Sequence, residues 1–365
     1  MKITAIYTEK VAVPLKKPFK TALRTVNIAE SIYITIELEN GRRGFGEAPP
    51  TLVITGDSLA SIDFAIHGVF KPLLVGRHLE EFEDIFVQLH KAIVRNTSAK
   101  AAVDMAIYDL LAQQANLPLF QYLGGAKSEL KTDYTVSVNA ASEMAADAQQ
   151  YVQDGFDLLK IKVGIGTIEE DIARIVAIRQ AIGHQATIRL DANQGWSAKD
   201  AVYAIRRMED LELKIELVEQ PVLAHDLEGL KYVTDNTLTP IMADESVFSA
   251  HDAQRVIEMR AADLINIKLM KAGGIHEALK INALAKTHNM KCMTGSMIET
   301  KIGITAAAHF AASQSNIHYY DFDAALMMKE ETTVGGIQYD GSRIRFAKES
   351  GLGILAIGRK IHENI

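Results

Sequence analysis

From about residue 130 onward, short runs of alternating apolar and polar positions are separated by stretches of helical spacing, and five of these runs carry an ionisable residue at or near their end. The first is Leu158-Leu159-Lys160-Ile161-Lys162-Val163. Four more follow: Ile188-Arg189-Leu190-Asp191, Ile215-Glu216-Leu217-Val218-Glu219, Pro240-Ile241-Met242-Ala243-Asp244 and Leu264-Ile265-Asn266-Ile267-Lys268. The terminal residues Lys162, Asp191, Glu219, Asp244 and Lys268 are spaced 29, 28, 25 and 24 positions apart, about one strand-plus-helix unit each. Side chains two apart on a strand share a face, so Lys160 and Lys162 point the same way. Two ammonium groups side by side in an apolar setting are costly unless an anion compensates them or one loses its proton.

The first third reads differently. Ser31-Ile32-Tyr33-Ile34-Thr35-Ile36-Glu37-Leu38 alternates with period two, Asn40-Gly41 is a hairpin turn signal, and Gly44-Phe45-Gly46-Glu47-Ala48 is the return strand. The cationic stretch Lys16 to Thr25 reads as a loop. Residues 58 to about 116 turn to helical spacing; the clearest helix, Ala101 to Gln114, places Val103, Ile107, Leu110 and Leu111 on one stripe. Pro118 and Gly124-Gly125 mark a boundary. Beyond it, Tyr134 to Val138 is a first strand. With the five runs above, Lys291 to Thr294 and Tyr319-Tyr320-Asp321, the count reaches eight. Eight strands alternating with helices point to a (β/α) barrel, with a doubly wound open sheet as the competing architecture. Even spacing and chemistry at the C-terminal strand ends favour the barrel. After residue 330, Gly335 to Tyr339 and Arg343 to Phe346 form an expected hairpin around Asp340-Gly341, in a tail too short to fold alone. The expected division is residues 1–125 as an α+β domain, completed by the tail 330–365, and residues 126–329 as the barrel.

Composition narrows the function. The 365 residues are 48% apolar with a net charge of −7 and no basic run, so nucleic acid is not an expected partner. One cysteine, Cys292, leaves no role for disulfides and suits a reducing cytoplasm. No apolar run reaches the roughly 20 residues that span a membrane, and Met1-Lys2-Ile3-Thr4 opens no signal peptide. A soluble cytoplasmic protein, without membrane or nucleic acid partner, is expected. A homo-oligomer is also expected, although no residue pattern specifies it.

Asp191, Glu219 and Asp244 end three consecutive strands, and three converging carboxylates repel one another without a cation. An all-oxygen set lacking His and Cys suits a hard divalent ion, Mg²⁺ first and Mn²⁺ second. One such residue alone would as readily be a helix cap. Lys162 and Lys268, on strands two and six, flank this set from either side. Removing a proton α to a carboxylate needs charge stabilisation, which a divalent ion supplies. Free lysine titrates near 10.4, so a lysine base tuned to about 7.4 requires roughly 4 kcal/mol of environmental bias.

Lys160-Ile161-Lys162, Asp191 to Trp196, Glu219-Gln220-Pro221, Ala243-Asp244-Glu245-Ser246 and Ile267 to Gly274 together resemble the enolase superfamily in its muconate-lactonizing-enzyme subgroup. Ala101-Ala102-Val103-Asp104, Asp109-Leu110, Pro118 and Leu123-Gly124-Gly125 resemble it too, and the likeness covers essentially the whole chain. It implies an α/β fold class, a modified (β/α)7β TIM-like barrel with an α+β capping domain drawn from both termini. It implies Mg²⁺ on Asp191, Glu219 and Asp244, with Lys162 and Lys268 as catalytic acid/bases and Lys160 on the substrate carboxylate. Strand eight, Tyr320-Asp321-Phe322-Asp323, is similar to the Asp-x-Asp motif of dipeptide epimerases, in which both aspartates hold the free α-ammonium of a dipeptide. Phe19-Lys20-Thr21-Ala22-Leu23-Arg24 is similar to the specificity loop of those enzymes. There Arg24 would pair with a side-chain carboxylate of the second residue, implying Glu or Asp. By the same likeness Thr135 and Ser296 contact the substrate and Ile298 shapes the pocket for the N-terminal residue. Glu299 and Lys301 follow strand seven without an assigned role. o-Succinylbenzoate synthase, N-acylamino-acid racemase and muconate cycloisomerase share the metal and lysines, but their substrates lack the ammonium that Asp321 and Asp323 would hold. A dipeptide epimerase of other specificity, or a non-catalytic dipeptide-binding barrel, are the remaining alternatives.

Overall fold

The computed structural model describes residues 1–358. The last part of the predicted tail, residues 359–365, lies outside the described residues. Strands β1 (Ile3–Lys20), β2 (Thr25–Leu38) and β3 (Arg43–Ala48) form an antiparallel sheet in that order. The stretch expected as a loop at Lys16–Lys20 is strand instead. β1 runs on past a register break between Pro14 and Phe19, and only residues 21–24 bend. The break is the physical reason: an irregularity lets a strand with Pro14 and three exposed lysines continue as the outer arm of a long hairpin.

The helix Thr97–Gln114 crosses this sheet. It begins four residues before the predicted start, and it is buried on all sides from Ser98 to Ala112 rather than along one stripe. Its small residues explain this. Ala102 and Ala106 lie against Gly46 and Gly44 of β3, where a Cβ on either glycine would run into the helix carbonyls.

Eight parallel strands follow: β5 (Tyr134–Val136), β6 (Leu158–Lys162), β7 (Thr187–Asp191), β8 (Ile215–Glu219), β9 (Ile241–Ala243), β10 (Leu264–Lys268), β11 (Lys291–Gly295) and β12 (Ile317–Tyr320); a short β4 (Glu129–Lys131) precedes them. They are hydrogen-bonded in strict chain order. The predicted strand eight starts two residues earlier than expected, and Asp321 lies just past its end. Side chains bridge the seam between the first and last strands. The Thr135 N–H donates to Asp323 Oδ2 at 2.6 Å and the Phe322 N–H to Thr132 Oγ1 at 2.8 Å. The architecture is a modified (β/α)7β TIM-like barrel with an α+β capping domain.

Near the C-terminus the hairpin of β14 (Gln338–Asp340) and β15 (Arg343–Arg345) pairs with β4, while β13 (Thr333–Gly335) pairs with β16 (Ile354–Ile357). The tail also reaches the first third of the chain, where the Leu352 N–H donates to Asp109 Oδ1 at 2.8 Å.

Candidate active site

The strand register assembles the predicted residues. Lys162 pairs with Asp191 in the β6–β7 ladder, and Asp191 pairs with Glu219 in the β7–β8 ladder. Asp244 follows directly after β9, and Lys268 closes β10. Buried apolar residues such as Leu159, Ile161, Ile188, Leu190, Ile241 and Ile265 anchor the strand bodies, and the last ionisable residue of each run stands at the C-terminal rim. Past the strands the backbone is strained: Asn193, Gln194 and Gln220 have φ of 42°, 68° and 37°. Gln220 holds the rim together. Its Oε1 accepts from the Asp244 and Ser246 N–H groups at 2.8 and 3.2 Å, and its Nε2 donates to the Val222 carbonyl at 3.0 Å.

A single cavity at this rim is lined by Arg24, Thr135, Lys160, Lys162, Lys268, Ser296, Ile298, Asp321 and Asp323. Asp191, Glu219 and Asp244 are buried beneath it. Lys160 Nζ donates to Asp321 Oδ2 at 2.8 Å and lies 2.8 Å from Glu219 Oε2 and 3.0 Å from Asp191 Oδ2. Lys162 Nζ donates to Asp191 Oδ2 at 2.6 Å, and Lys268 Nζ to Asp244 Oδ2 at 2.7 Å.

These contacts set the protonation states. Burial alone would raise the carboxyl pKa values. Lys160 and Lys162 overcome it at Asp191, which is held at about 2. Lys268 and Lys271 hold Asp244 well below the usual carboxylate range. Burial lowers Lys268, but Asp244 and Glu219 outweigh it and raise the group above the ordinary lysine value. The protein's own charges therefore oppose a neutral amine at Lys268. Burial and the Asp321 charge push Asp323 up to about 7.

Pattern reading missed several side chains. Asn266 Nδ2 donates to Glu219 Oε1 at 2.8 Å; its position two before Lys268 on one strand was the available signal. Lys271 Nζ lies 2.7 Å from Asp244 Oδ1 and donates to the Asn266 carbonyl at 3.0 Å. It arrives from a four-residue helix after β10, which no strand periodicity foretells. Of the two residues left without a role, Glu299 is buried and accepts from the Met297 N–H at 2.8 Å, whereas Lys301 pairs with Glu331.

Among the described residues, no three His, Cys, Asp or Glu side chains stand close enough together to enclose an ion as they are placed. Lysine ammoniums hold the carboxylates instead. The donor chemistry nevertheless fits a hard divalent cation. Asp191, Glu219 and Asp244 are fully buried oxygen donors at neighbouring strand ends, and Glu219 Oε2 and Asp244 Oδ1 are held by lysine ammonium groups at 2.8 and 2.7 Å. Six carboxyl groups (Asp191, Glu219, Asp244, Glu245, Asp321, Asp323) share the site with four amines (Lys160, Lys162, Lys268, Lys271), all buried, and burial with the neighbouring acids pushes Glu245 up to about 8. A divalent ion at the rim would relieve that crowding of acids.

Two family models match the chain: the mandelate racemase / muconate lactonizing enzyme N-terminal domain over residues 3–124, and the enolase C-terminal domain-like model over residues 143–356. The L-Ala-D/L-Glu epimerase of Bacillus subtilis is 60% identical over 97% of both chains. A solved substrate-liganded complex of the Bacillus subtilis L-Ala-D/L-Glu epimerase superposes with a TM-score of 0.97 at 59% identity, covering 98% of this chain and 100% of that one. The dipeptide epimerase of Enterococcus faecalis, solved with Mg and the dipeptide L-Leu-L-Tyr, superposes at 0.94 with 46% identity over 97% and 99% of the two chains. With a register that gathers two lysines and three carboxylates at one barrel rim, and with both family models matched, this chain belongs to the mandelate racemase/muconate lactonizing enzyme family of the enolase superfamily.

Proposed function

We propose that this chain is a Mg²⁺-dependent dipeptide epimerase acting on L-Ala-D/L-Glu, inverting the α-carbon of the C-terminal residue by a 1,1-proton transfer. One observation carries the reading: the set of charges that line a single cavity. Asp321 and Asp323, Lys160, Lys162 and Lys268, and Arg24 all line it. A dipeptide with an acidic second residue presents the complementary set: ammonium, α-carboxylate, side-chain carboxylate. Arg24 is half-buried and its guanidinium has no acidic partner among the described residues, a costly state that a substrate carboxylate relieves.

In this scheme Asp321 and Asp323 hold the α-ammonium, and Thr135 and Ser296 contact the peptide. Ile298 bounds the pocket of the N-terminal residue. Lys160 faces the C-terminal carboxylate. Mg²⁺ held by Asp191, Glu219 and Asp244 supplies Lewis-acid stabilisation of the charge that develops on that carboxylate as the α-proton leaves. Lys162 and Lys268 work from opposite faces. One takes the α-proton and the other returns a proton, with Lys162 serving the D centre and Lys268 the L centre. Each lysine starts paired with a carboxylate, so substrate binding must release the amine of the acting base from Asp191 or Asp244. Residues 1–125 with the described part of the tail, 330–358, form the capping part in this proposal, and residues 126–329 the barrel.

The test is proton NMR of L-Ala-L-Glu in D₂O with enzyme and Mg²⁺, beside an EDTA control. Loss of the Glu α-proton signal with growth of the diastereomer, only with metal, is expected. Exchange of apolar or cationic dipeptides in preference to L-Ala-Glu would overturn the acidic specificity. An inert protein across a dipeptide library would overturn the epimerase reading.

A further inference from the structure

Phe19 has no assigned role in the scheme above, yet it lines the same cavity and its ring lies against one of the two bases. The ring centroid stands 5.6 Å from Lys162 Nζ, within the reach of an aromatic face for an ammonium. Asp191 Oδ2 takes another side of the same nitrogen at 2.6 Å. Among the described residues no aromatic ring covers the Lys268 ammonium in this way. The two lysines are therefore unequal in surroundings although they are proposed to perform mirror-image tasks.

The ring is carried by the β1–β2 hairpin, not by the barrel, and the hairpin is pinned where it is. The Lys20 N–H donates to Ser137 Oγ at 3.2 Å, Lys20 Nζ donates to Asn139 Oδ1 at 2.7 Å, and the Val138 N–H donates to the Lys20 carbonyl at 3.2 Å. At the hairpin tip the Ala22 Cβ lies 3.3 Å from where a Cβ on Gly164, just past β6, would stand. Gly164 also has φ of 92°, so a larger residue there is strained as well as crowded.

We infer that Phe19 is a positioning residue for Lys162. Its face fixes the lysine nitrogen toward the substrate and shuts water out from one side, so the capping hairpin acts on one base and not on the other. The inference rests on the epimerase reading above. It requires an asymmetric defect: removing the ring should slow the proton transfer made by Lys162 and spare the one made by Lys268.

The experiment follows initial α-proton wash-out into D₂O, by NMR, from L-Ala-L-Glu and L-Ala-D-Glu separately. These initial rates are not tied to each other by the epimerisation equilibrium, and a general loss of structure slows both alike. Lys162→Ala first identifies which dipeptide depends on Lys162. Phe19→Leu should then slow that dipeptide by about fivefold or more while leaving the other within about twofold, the scale of a lost cation–π contact. Phe19→Tyr keeps the aromatic face and should restore the wild-type ratio. Equal slowing of both dipeptides, or an unchanged ratio in Phe19→Leu, overturns the inference. Wild-type protein inert on both dipeptides overturns the epimerase reading itself, and shows before any variant is compared.

Discussion

Lys162 and Lys268 each donate to a buried carboxylate at 2.7 Å or less, so neither can be removed without leaving an uncompensated charge in the rim. Lys162→Ala and Lys268→Ala should each lower epimerisation by about 10²–10⁴-fold, the scale of a lost general acid/base. Each variant should still wash out the α-proton of the one dipeptide that its surviving lysine faces. Full epimerase activity in both variants, read by the same NMR assay, would sink the two-base scheme. Arg24 makes a separate prediction, because no acidic side chain among the described residues pairs with it. Arg24→Met should reduce kcat/KM for L-Ala-L-Glu relative to L-Ala-L-Leu by roughly 10- to 100-fold, the size of a lost charge-assisted pair. Steady-state kinetics on the two dipeptides measure it, and an unchanged ratio would remove Arg24 from recognition.

At the scale of elements, strand ends were easier to read than helix faces. A strand carries its chemistry with period two and its last residue faces the rim, so Asp191, Glu219, Asp244 and Lys268 were legible together, as a set in register. The helix Thr97–Gln114 was legible as a helix but not in its buried faces, because small alanines against the glycines of β3 let it sink in and erase the stripe. One contact between elements deserves a test. Glu47 at the end of β3 accepts from the Thr300 N–H, the Thr300 hydroxyl and the Gly303 N–H at 2.8, 2.8 and 2.9 Å, capping the helix Lys301–Ser313 from outside the barrel. Glu47→Ala leaves those donors buried and unpaired, so a loss of about 2–4 kcal/mol is expected. Thermal or urea unfolding would check it, and an unchanged midpoint would show that water replaces the carboxylate.

Across the whole molecule, pH acts through groups that join distant segments. His309 is buried, and its Nδ1 accepts from the Phe120 N–H at 3.0 Å, a role open only to the neutral ring. Burial lowers its pKa to about 3. The unfolded chain titrates near 6.5, so on acidification the unfolded state takes up the proton first. The stability contributed by neutral His309 is complete above about pH 6.5 and is lost as pH falls toward 3, costing about 2 kcal/mol at pH 5. Buried carboxyls such as Asp109, raised to about 6 by burial, work in the opposite sense, so the effect is read as a difference. His309→Asn keeps an acceptor without the titration and should show a smaller fall in Tm between pH 7.5 and 5. Parallel Tm curves for both proteins would contradict the assignment.

The sequence by itself determined the alternation of strands and helices, the acidic and basic residues at five strand ends and the turn at Asn40-Gly41, because these follow from local periodicity and backbone preference. It also carried the family likeness that singled out Arg24, Asp321 and Asp323. Only the tertiary structure decided that Lys160 sits among Asp191, Glu219 and Asp321, that Lys271 approaches Asp244 from a separate short helix, and that Phe19 covers Lys162 from the hairpin. Those contacts join residues 27 to 161 positions apart or cross from the capping sheet to the barrel. No local pattern encodes them, since each depends on strand register and on how two packed layers meet.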